Sequence, residues 1–563
     1  MTSNYLAEDC ALTIWQHLEH ILPRLNSQEK MPVWPPDVFA LCASLLVKSG
    51  SYGKVLANWP PPEYDVGHEA KNPWLEASAD FGKSWRVAWA ANQPPPTRAI
   101  LLWNTLVNAR HEPVHAISGN LSICRAILEL CAIADEASEG IGSPLYGYET
   151  PSDELFLYHA AELLDRDLLG SSVCEEIHAS RIRVLPKMHT PQSGLTIRSL
   201  SIYLALCQPS EVIPRWIQSA SPLRGESINL LVVPWPFEVY PAQFRETEAL
   251  SPEMRNMPDE FGFFTYSQRN TGDVLATVKN LFDAAVEQVG RVDGVVLPEL
   301  AVTPQERNKL RSQVLKRNAF LVCGFGSKSQ GRKRHGMNEV GLDFGIPPLE
   351  VSLSQAKHHR WKLDSSQIYQ YRLGSLLYPE KQWWEHISVE ERRFVFASVH
   401  AAMVLTALIC EDLARPDPVG DLLRAVGPNL VIAILMDGPQ LKERWAGRFA
   451  TTLADDPGCS VLSVTSLGMS KLSRPREGAT RQRIVGLWKD ARSGGPVEIA
   501  LDDGHDGVVL SLSMRYIEEW SADGRSDNGN AAYPILSGVH CLKAQATSPG
   551  RVKTAAKKGF RKR

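Results

Sequence analysis

The sequence lacks the features that mark several common classes of protein. None of its ten cysteines forms a C-x-x-C pair, so we expect no metal site of that kind. No apolar run approaches the roughly 18 residues that a membrane-spanning helix needs, so we expect no membrane segment. Residues Met1 to Glu19 contain no basic leader ahead of an apolar stretch, which argues against a secretory signal. Together these absences predict a cytoplasmic protein whose thiols stay reduced.

The chain also has little net charge and no clear cofactor motif. A formal charge of -3 over 563 residues argues against a surface built throughout for nucleic acid. The basic stretch Arg551–Arg563 is the exception. We expect it to be disordered, with binding to nucleic-acid phosphates as the alternative, shared with the basic loop Lys328–Arg334. The glycines Gly324 and Gly326 lack the spacing of a P-loop or dinucleotide fingerprint, so no cofactor is predicted.

The length predicts more than one domain. Residues 1–222 are predicted to be a mainly α-helical domain, 223–515 a domain in which strands alternate with helices, and 516–563 a C-terminal extension that ends in the basic stretch. The helical periodicity of the first domain predicts helices at Leu6–Leu22, Pro36–Leu46, Arg98–Asn108, Leu121–Ala134, Asp153–Leu169 and Thr196–Leu206.

Short apolar segments of the second domain are rich in valine, isoleucine and leucine and alternate with helical patterns, which is typical of a layered α/β domain. Two final segments, Glu498–Leu501 and Val508–Leu512, are predicted to form a closing hairpin around Gly504. The strands predicted before them are Ile228–Val233, Gly294–Leu297, Ala319–Gly324, two within Phe394–Ile409, Leu430–Met436 and Ser460–Thr465.

The most informative feature is a cysteine at the end of an apolar run. Met403 to Ile409 is apolar apart from one threonine, and Cys410 follows it directly, ahead of Glu411 and Asp412. This pattern indicates a buried strand that delivers a thiol to a sharp strand-to-helix bend. A thiolate at such a bend is able to face a pocket and act as a nucleophile.

Two further residues complete a possible catalytic set. Glu299 follows the apolar segment Gly294–Leu297, and Lys357 lies in a strand-like setting. Cleavage of an amide or nitrile needs an activated nucleophile, a base that later protonates the leaving nitrogen, and a group that holds the oxyanion. Cys410, Glu299 and Lys357 match these roles, and the backbone N–H of Glu411 is a second candidate for the oxyanion.

Each of these residues also has an ordinary structural explanation. A cysteine that ends an apolar strand is often a packed thiol, and a carboxylate after a strand is often a loop residue. Lys357 belongs to a basic patch with Arg360 and Lys362, and the alternative is that this patch is simply a solvent-exposed edge of the fold. The ordered combination of acid, lysine and cysteine is what favours a thiol hydrolase of carbon–nitrogen bonds.

From about Ile228 to Leu512 the chain resembles the nitrilase superfamily of carbon–nitrogen hydrolases. The resemblance is carried by Val296-Leu297-Pro298-Glu299, by Leu408-Ile409-Cys410-Glu411-Asp412, and by Arg444 to Ala450 ahead of a strand. It implies a four-layer αββα sandwich, with Glu299 as general base and Cys410 as nucleophile. It further implies a homodimer or higher homo-oligomer that pairs through helices flanking the sheets.

The family's lysine and its second glutamate are matched less closely by this sequence. Lys357 fits the lysine by position, with Lys362 as the rival. The family's second glutamate is expected soon after the lysine, where only Asp364 lies near, while Glu385 comes much later. The segment Lys357–Glu385 is therefore interpreted as a specificity insertion whose tryptophans either line the pocket mouth or pack against neighbouring elements.

The segments Val184–Pro191 and Lys357–Glu385 also resemble a narrower group, nitrilase-like proteins associated with bacterial reverse transcriptases in phage defence. No Tyr-x-Asp-Asp polymerase signature occurs in this chain, so a reverse transcriptase is implied only as a partner.

Two functional hypotheses follow from these patterns. The first is a cysteine-dependent hydrolase of a small-molecule amide or nitrile, acting through a thioester without metal or cofactor; acyl transfer shares that intermediate. The second is a catalytically inactive nitrilase-like module that binds or senses a ligand in a defence complex and contacts nucleic acid.

Overall fold

The computed structural model describes eleven stretches of the chain, and among their residues no helix is both long and apolar enough to cross a lipid bilayer. The basic loop Lys328–Arg334 and the basic stretch Arg551–Arg563 lie outside them. The described residues are 12–54, 73–144, 150–166, 169–191, 196–247, 257–268, 272–327, 335–346, 348–389, 391–473 and 483–544.

The N-terminal region is rich in helices. Trp34, Trp85 and Trp103 are buried there, and each donates its indole N–H to a backbone carbonyl at 2.7–2.9 Å. The helices here are α1 (Ile14–Ile21), α2 (Pro35–Ser49), α3 (Pro73–Ala90), α4 (Thr97–Asn108), α5 (Leu121–Glu136), α6 (Pro151–Asp165) and α7 (Ile197–Leu200). Among these, α3 was not predicted.

The helices after residue 223 alternate with strands. They are α8 (Val274–Val289), α9 (Pro304–Leu315), α10 (Ser365–Gln370), α11 (Gly420–Val426), α12 (Trp445–Asp455) and α13 (Leu467–Leu472). The strands of the chain are β1 (Arg183–Pro186), β2 (Leu204–Cys207), β3 (Ile213–Leu223), β4 (Ser227–Val232), β5 (Phe244–Glu246), β6 (Phe261–Tyr266), β7 (Gly294–Val302), β8 (Phe320–Ser327), β9 (Met337–Phe344), β10 (Val351–Ala356), β11 (Lys362–Leu363), β12 (Gln382–Glu385), β13 (Arg393–His400), β14 (Met403–Ile409), β15 (Leu430–Leu435), β16 (Ser460–Thr465), β17 (Ile484–Lys489), β18 (Val497–Ala500), β19 (Gly507–Ile517) and β20 (Ala531–Leu542).

Two seven-stranded sheets form the centre of the α/β part. Sheet I has the strand order β10-β9-β8-β7-β4-β19-β20, and sheet II has the order β18-β17-β16-β15-β14-β13-β3. Side chains from both sheets share one apolar core, which includes Val296 and Val322 of sheet I with Leu405 and Ile432 of sheet II. Helix α8 packs on the other face of sheet I, and α12 packs on sheet II. Helices therefore lie outside both sheets.

The two sheets take in residues on both sides of the predicted 223–515 domain. Strand β3 ends at residue 223 and pairs in parallel with β13, while β20 begins after residue 515 and pairs with β19. The first 222 residues therefore contribute an edge strand to sheet II, and the C-terminal extension contributes an edge strand to sheet I.

The closing hairpin predicted for Glu498–Leu501 and Val508–Leu512 is wrong. The first segment lies in β18, which pairs with β17 in sheet II. The second lies in β19, which pairs with β4 and β20 in sheet I. The turn around Gly504 therefore carries the chain from one sheet to the other, because each strand finds its partner elsewhere in the core.

The helix predicted at Thr196–Leu206 is also wrong over most of its length. Only Ile197–Leu200 is helical, and Leu204–Cys207 pairs antiparallel with β1. The physical reason is a tertiary contact: the buried carboxylate of Asp135 accepts the backbone N–H groups of residues 202, 203 and 204 at 2.6–3.0 Å. Those donors are thus satisfied without a helical ladder.

A small four-stranded sheet, with the order β11-β12-β6-β5, lies over one end of the sandwich. Together with α10 it packs against Leu300 of β7 and against Met436, directly after β15. The two tryptophans of β12 pack against neighbouring elements. Trp383 is fully buried, and Trp384 stacks on Phe261 at 4.8 Å between ring centroids. The insertion therefore covers the strand ends where the candidate catalytic residues lie.

Candidate active site

Glu299 lies in β7, a strand of sheet I in which all nine residues are buried. The next residue, Leu300, has a positive φ of 51°, a conformation that non-glycine residues rarely adopt and that tends to occur at functional sites. The neighbouring strand β8 approaches closely here, since a Cβ on Gly324 would stand 2.1 Å from the Pro298 carbonyl oxygen. Glu299 thereby lies in a tightly packed part of β7, where its pairing with β8 is irregular.

Lys357 follows directly on β10, at the edge of sheet I, and its side chain is fully buried. Its ammonium group forms ion pairs of 2.8 Å with Glu299 Oε1 and with Glu385 Oε2. Two residues earlier, the Gln355 side chain donates to the Ala407 carbonyl of β14 at 2.9 Å. This bond crosses between the sheets and fixes the Lys357 strand end relative to the strand that carries Cys410.

Glu385 and Asn338 complete this cluster. Glu385 ends β12 of the small sheet, and Asn338 lies on β9 of sheet I. The Asn338 amide donates at 2.7 Å both to Glu299 and to Glu385, and the backbone N–H of Trp361 donates to Glu385 Oε2 at 3.2 Å. Glu385 thus contacts Lys357, although it lies far along the chain from the lysine.

Cys410 is the first residue of a 3₁₀ turn, Cys410–Ala414, that follows β14 directly. Its φ is 48°, which is strained for a residue with a side chain, and only 3% of its surface is exposed. Strain at Cys410 and at Leu300 marks the two strand ends that carry the thiol and the Glu299 carboxylate. Such strain persists only where the surroundings impose it, and it frequently accompanies catalysis.

The charges of this cluster act on one another. Burial, and next the negative charge of Glu299, raise the pKa of the Cys410 thiol well above its ordinary value, although Lys357 opposes the rise. Burial also raises the pKa of Glu299, with Glu385 adding to the rise and Lys357 opposing it. Burial by itself lowers the pKa of Lys357, but the charges of Glu299, Glu385 and Cys410 outweigh burial and raise it well above its ordinary value. These shifts favour the neutral form of the thiol and the charged form of the lysine.

The side chains of the remaining sequence candidates have other partners. Lys362, the rival lysine, is exposed, and its ammonium stands 5.4 Å from the centre of the Trp384 ring. The Glu411 side chain forms an ion pair with Arg415, so only its backbone N–H, within the Cys410 turn, remains a candidate for the oxyanion. Asp364 caps α10 by accepting the Gln367 N–H at 2.9 Å. Of the two lysines, only Lys357 meets the carboxylates.

Sequence reasoning missed Asp437, which lies one residue beyond Met436 at the end of β15. Its negative charge also contributes to the raised pKa of Cys410. Its carboxylate accepts hydrogen bonds from Arg444 at 2.7 Å, from the Trp445 indole at 3.0 Å and from the Tyr371 hydroxyl. The signal was available, because an acid closely follows a buried strand here as it does at Glu299.

Asp412 connects the cysteine turn to the lysine segment. It is 1% exposed, and its carboxylate accepts the backbone N–H groups of His358 and His359 at 3.0 Å each and the His359 ring Nδ1 at 2.9 Å. His358 follows Lys357 directly, and Asp412 is two residues from Cys410. We call this set the Asp412 clamp, and it joins the residues after Lys357 to the turn that begins at Cys410.

Replacement of Asp412 by alanine is expected to leave these buried N–H donors without an acceptor. We expect a loss of about 2–3 kcal/mol in the free energy of unfolding and slower alkylation of the Cys410 thiol. The matched control is Asp364→Ala, which also removes a carboxylate bonded to backbone N–H, and which should cost about 1 kcal/mol without affecting the thiol. Urea unfolding and mass-spectrometric alkylation rates measure both effects; equal behaviour of the two variants contradicts the role of the clamp.

Among the described residues, no group of three His, Cys, Asp or Glu side chains is placed to hold a metal ion.

Comparisons with known proteins add information on the fold only. No family model and no curated protein matches the chain. Solved structures do match it.

The chain is structurally similar to nitrilase-superfamily proteins over about half its length. One is Nit3 of Saccharomyces cerevisiae, a member of branch 10 of that superfamily, with 14% identity and a TM-score of 0.32 over 52% of this chain and 93% of that one. An amidase from Nesterenkonia sp. has 14% identity and a TM-score of 0.30 over 52% and 92%. XC1258 from Xanthomonas campestris, a CN-hydrolase superfamily protein, has 14% identity and a TM-score of 0.29 over 51% and 90%. Because these TM-scores are low, functional conclusions rest on the contacts of the site itself.

Proposed function

We propose that this protein is a cysteine-dependent hydrolase of a non-peptide carbon–nitrogen bond, in an amide or a nitrile, and that it acts through a thioester. One observation carries the proposal. Buried Glu299 is ion-paired with buried Lys357, the charges of both act on the thiol of Cys410, and the second oxygen of Glu299, Oε2, is buried and has no hydrogen-bond partner among the described residues. An unpartnered buried carboxylate oxygen is costly for a purely structural site, whereas a general base needs one.

In the proposed reaction with an amide, Glu299 takes the proton of the Cys410 thiol as the sulfur attacks the carbonyl carbon. The carbonyl oxygen becomes an oxyanion. Lys357 has three N–H donors, of which two are used by Glu299 and Glu385, so the third is available to the oxyanion, together with the Glu411 backbone N–H. The C–N bond breaks as Glu299 returns the proton to the nitrogen, which leaves as ammonia or an amine.

Water then completes the cycle. Glu299, again ionised, takes a proton from water while the oxygen attacks the thioester carbon. The C–S bond breaks, the carboxylic acid leaves, and the proton returns from Glu299 to the sulfur, which restores the neutral thiol. The raised pKa of Cys410 fits this cycle, because a thiol that stays protonated at rest requires a base within the site.

Trapping of the thioester tests the proposal. The protein is incubated with a panel of small amides and nitriles, denatured in acid and digested, and the peptide that contains Cys410 is weighed by mass spectrometry. We expect an acyl adduct on Cys410 with at least one compound, and release of the matching acid and ammonia. The Cys410→Ala variant should give neither product. Hydrolysis by that variant, or acylation of another residue, would contradict the thioester mechanism.

The finer expectations from the sequence accompany this proposal: action in phage defence beside a reverse transcriptase, contact with nucleic acid, and assembly into a homodimer or higher homo-oligomer. Sedimentation of the purified chain, alone and with nucleic acid, tests the last two. A protein that binds nucleic acid but acylates with no compound of the panel would favour the alternative, an inactive binding or sensing module.

A further inference from the structure

Asn338 occupies an unusual position within the candidate site. It is 1% exposed and lies on β9, outside the acid, lysine and cysteine set. Its single amide nitrogen lies 2.7 Å from Oε1 of Glu299 and 2.7 Å from Oε1 of Glu385. Its backbone carbonyl also accepts the N–H of Lys357 at 2.9 Å. One asparagine thus contacts both carboxylates and the backbone of the lysine between them.

Asn338 and Lys357 form two bridges between the same pair of carboxylates. Both donate to the same oxygen of Glu299, Oε1. Oε2 is left buried with no hydrogen-bond partner in the described part of the chain. Rotation about the last bond of a glutamate is only weakly restricted, so a single donor would not fix which oxygen stays open. The donors from Asn338 and Lys357 both bind Oε1, and so they fix Oε2 as the open oxygen.

We propose that Asn338 is a positioning residue that anchors Glu299 through Oε1 and so assigns Oε2 as the atom that exchanges protons with Cys410 and with the leaving nitrogen. This inference rests on the proposed function. Its electrostatic reason is that two carboxylates face one ammonium in a buried site, which leaves one uncompensated negative charge. Hydrogen bonds from a neutral amide stabilise that charge without adding another.

The charged groups around Glu299 make this role measurable. They come from three other elements: Lys357 follows β10, Glu385 ends β12, and Cys410 begins the turn after β14. Loss of the amide donors removes stabilisation of the Glu299 carboxylate, and a new carboxylate adds negative charge. Loss of the donors raises the pKa of Glu299, and a protonated Glu299 no longer repels the thiolate, so the thiolate forms at lower pH. An added carboxylate repels the thiolate, which then forms at higher pH.

The test is the pH dependence of the alkylation of Cys410 by iodoacetamide in the folded protein, read from the mass of the Cys410 peptide. We expect Asn338→Asp to move the midpoint upward by about one pH unit or more and Asn338→Leu to move it downward. The matched control is Asn429→Leu, because Asn429 is equally buried but bonds the backbone of Val404 and Ala532. The control should lower the unfolding temperature and leave the midpoint in place.

A purely structural asparagine would give the opposite pattern. If folded Asn338 variants keep the parental midpoint, or if Asn429→Leu shifts it equally, the inference is wrong. A parental thiol that iodoacetamide does not reach at any pH at which the protein is folded also contradicts it, since proton exchange then has no accessible nucleophile. If the amide panel gives no turnover while the Asn338 variants shift the midpoint, the proposed function fails and the positioning of Glu299 stands. If the amide panel gives turnover while the Asn338 variants keep the parental midpoint, the proposed function stands and the positioning role of Asn338 is wrong.

Discussion

Replacement of Cys410 by alanine is expected to lower turnover of any substrate found with the amide and nitrile panel by at least about a thousandfold. Without the sulfur no thioester forms, and Glu299 and Lys357 alone are left to act on water and substrate. The neutral thiol contributes little to the fold, so we expect a loss of only about 1 kcal/mol in the free energy of unfolding. Steady-state rates and urea unfolding of the same preparation measure the two quantities.

The control for this prediction is a cysteine of similar burial. Cys323 lies in β8 of sheet I, is fully buried and neighbours the strand of Glu299. Cys323→Ala should cost a similar amount of stability and keep turnover within a few-fold of the parent. If both variants lose activity equally, the loss reflects packing of the sandwich. If Cys410→Ala keeps full activity, the sulfur is not the nucleophile.

The sequence predicted the central strands well because their signals are local. Ser460–Thr465 was predicted with the bounds that the structure has, and all six of its residues are buried. A short apolar run between turn residues describes such a strand completely. Glu299 and Cys410 are predicted as site residues for the same reason, since each follows such an apolar run in the sequence.

The partners of these residues were not predictable in the same way. Asn338 belongs to β9, and Glu385 reaches the site only because β12 pairs in parallel with β6, a strand that lies more than a hundred residues earlier. No local sequence pattern in Gln382–Glu385 predicts that pairing. Leu204–Cys207 shows the same limit, because its strand depends on contacts with β1 and with the side chain of Asp135.

The strained residues add a signal that the sequence does not carry. Positive φ angles at Leu300 and Cys410 are imposed by tertiary contacts such as the close approach of β8 to Pro298. An apolar sequence ahead of an acid or a cysteine is common, and most such residues pack without strain. The backbone conformation is therefore an observation on Leu300 and Cys410 that the sequence alone does not provide.

Removal of the buried ammonium is the second change with a large expected effect. In Lys357→Met the carboxylates of Glu299 and Glu385 lose the cation that lies 2.8 Å from each. Loss of one partner of a buried ion pair typically costs about 3–5 kcal/mol, so we expect a fall of that size in the free energy of unfolding and no measurable turnover. Lys362→Met, at the exposed rival lysine, should change stability by less than about 0.5 kcal/mol and retain activity.

The loss in the free energy of unfolding of Lys357→Met, measured against pH, shows whether the missing charge or the missing packing contacts cause it. We call this loss the deficit. Burial already raises the pKa of Glu299, and removal of Lys357 raises it further, so folded Glu299 binds a proton more tightly than unfolded Glu299 does. A folded state that holds more protons gains stability as the pH falls. The deficit should therefore shrink as the pH drops through the raised pKa of Glu299, and adding Glu299→Gln should recover part of it at neutral pH. A deficit that is constant with pH and additive with Glu299→Gln would show that Lys357 acts through packing alone.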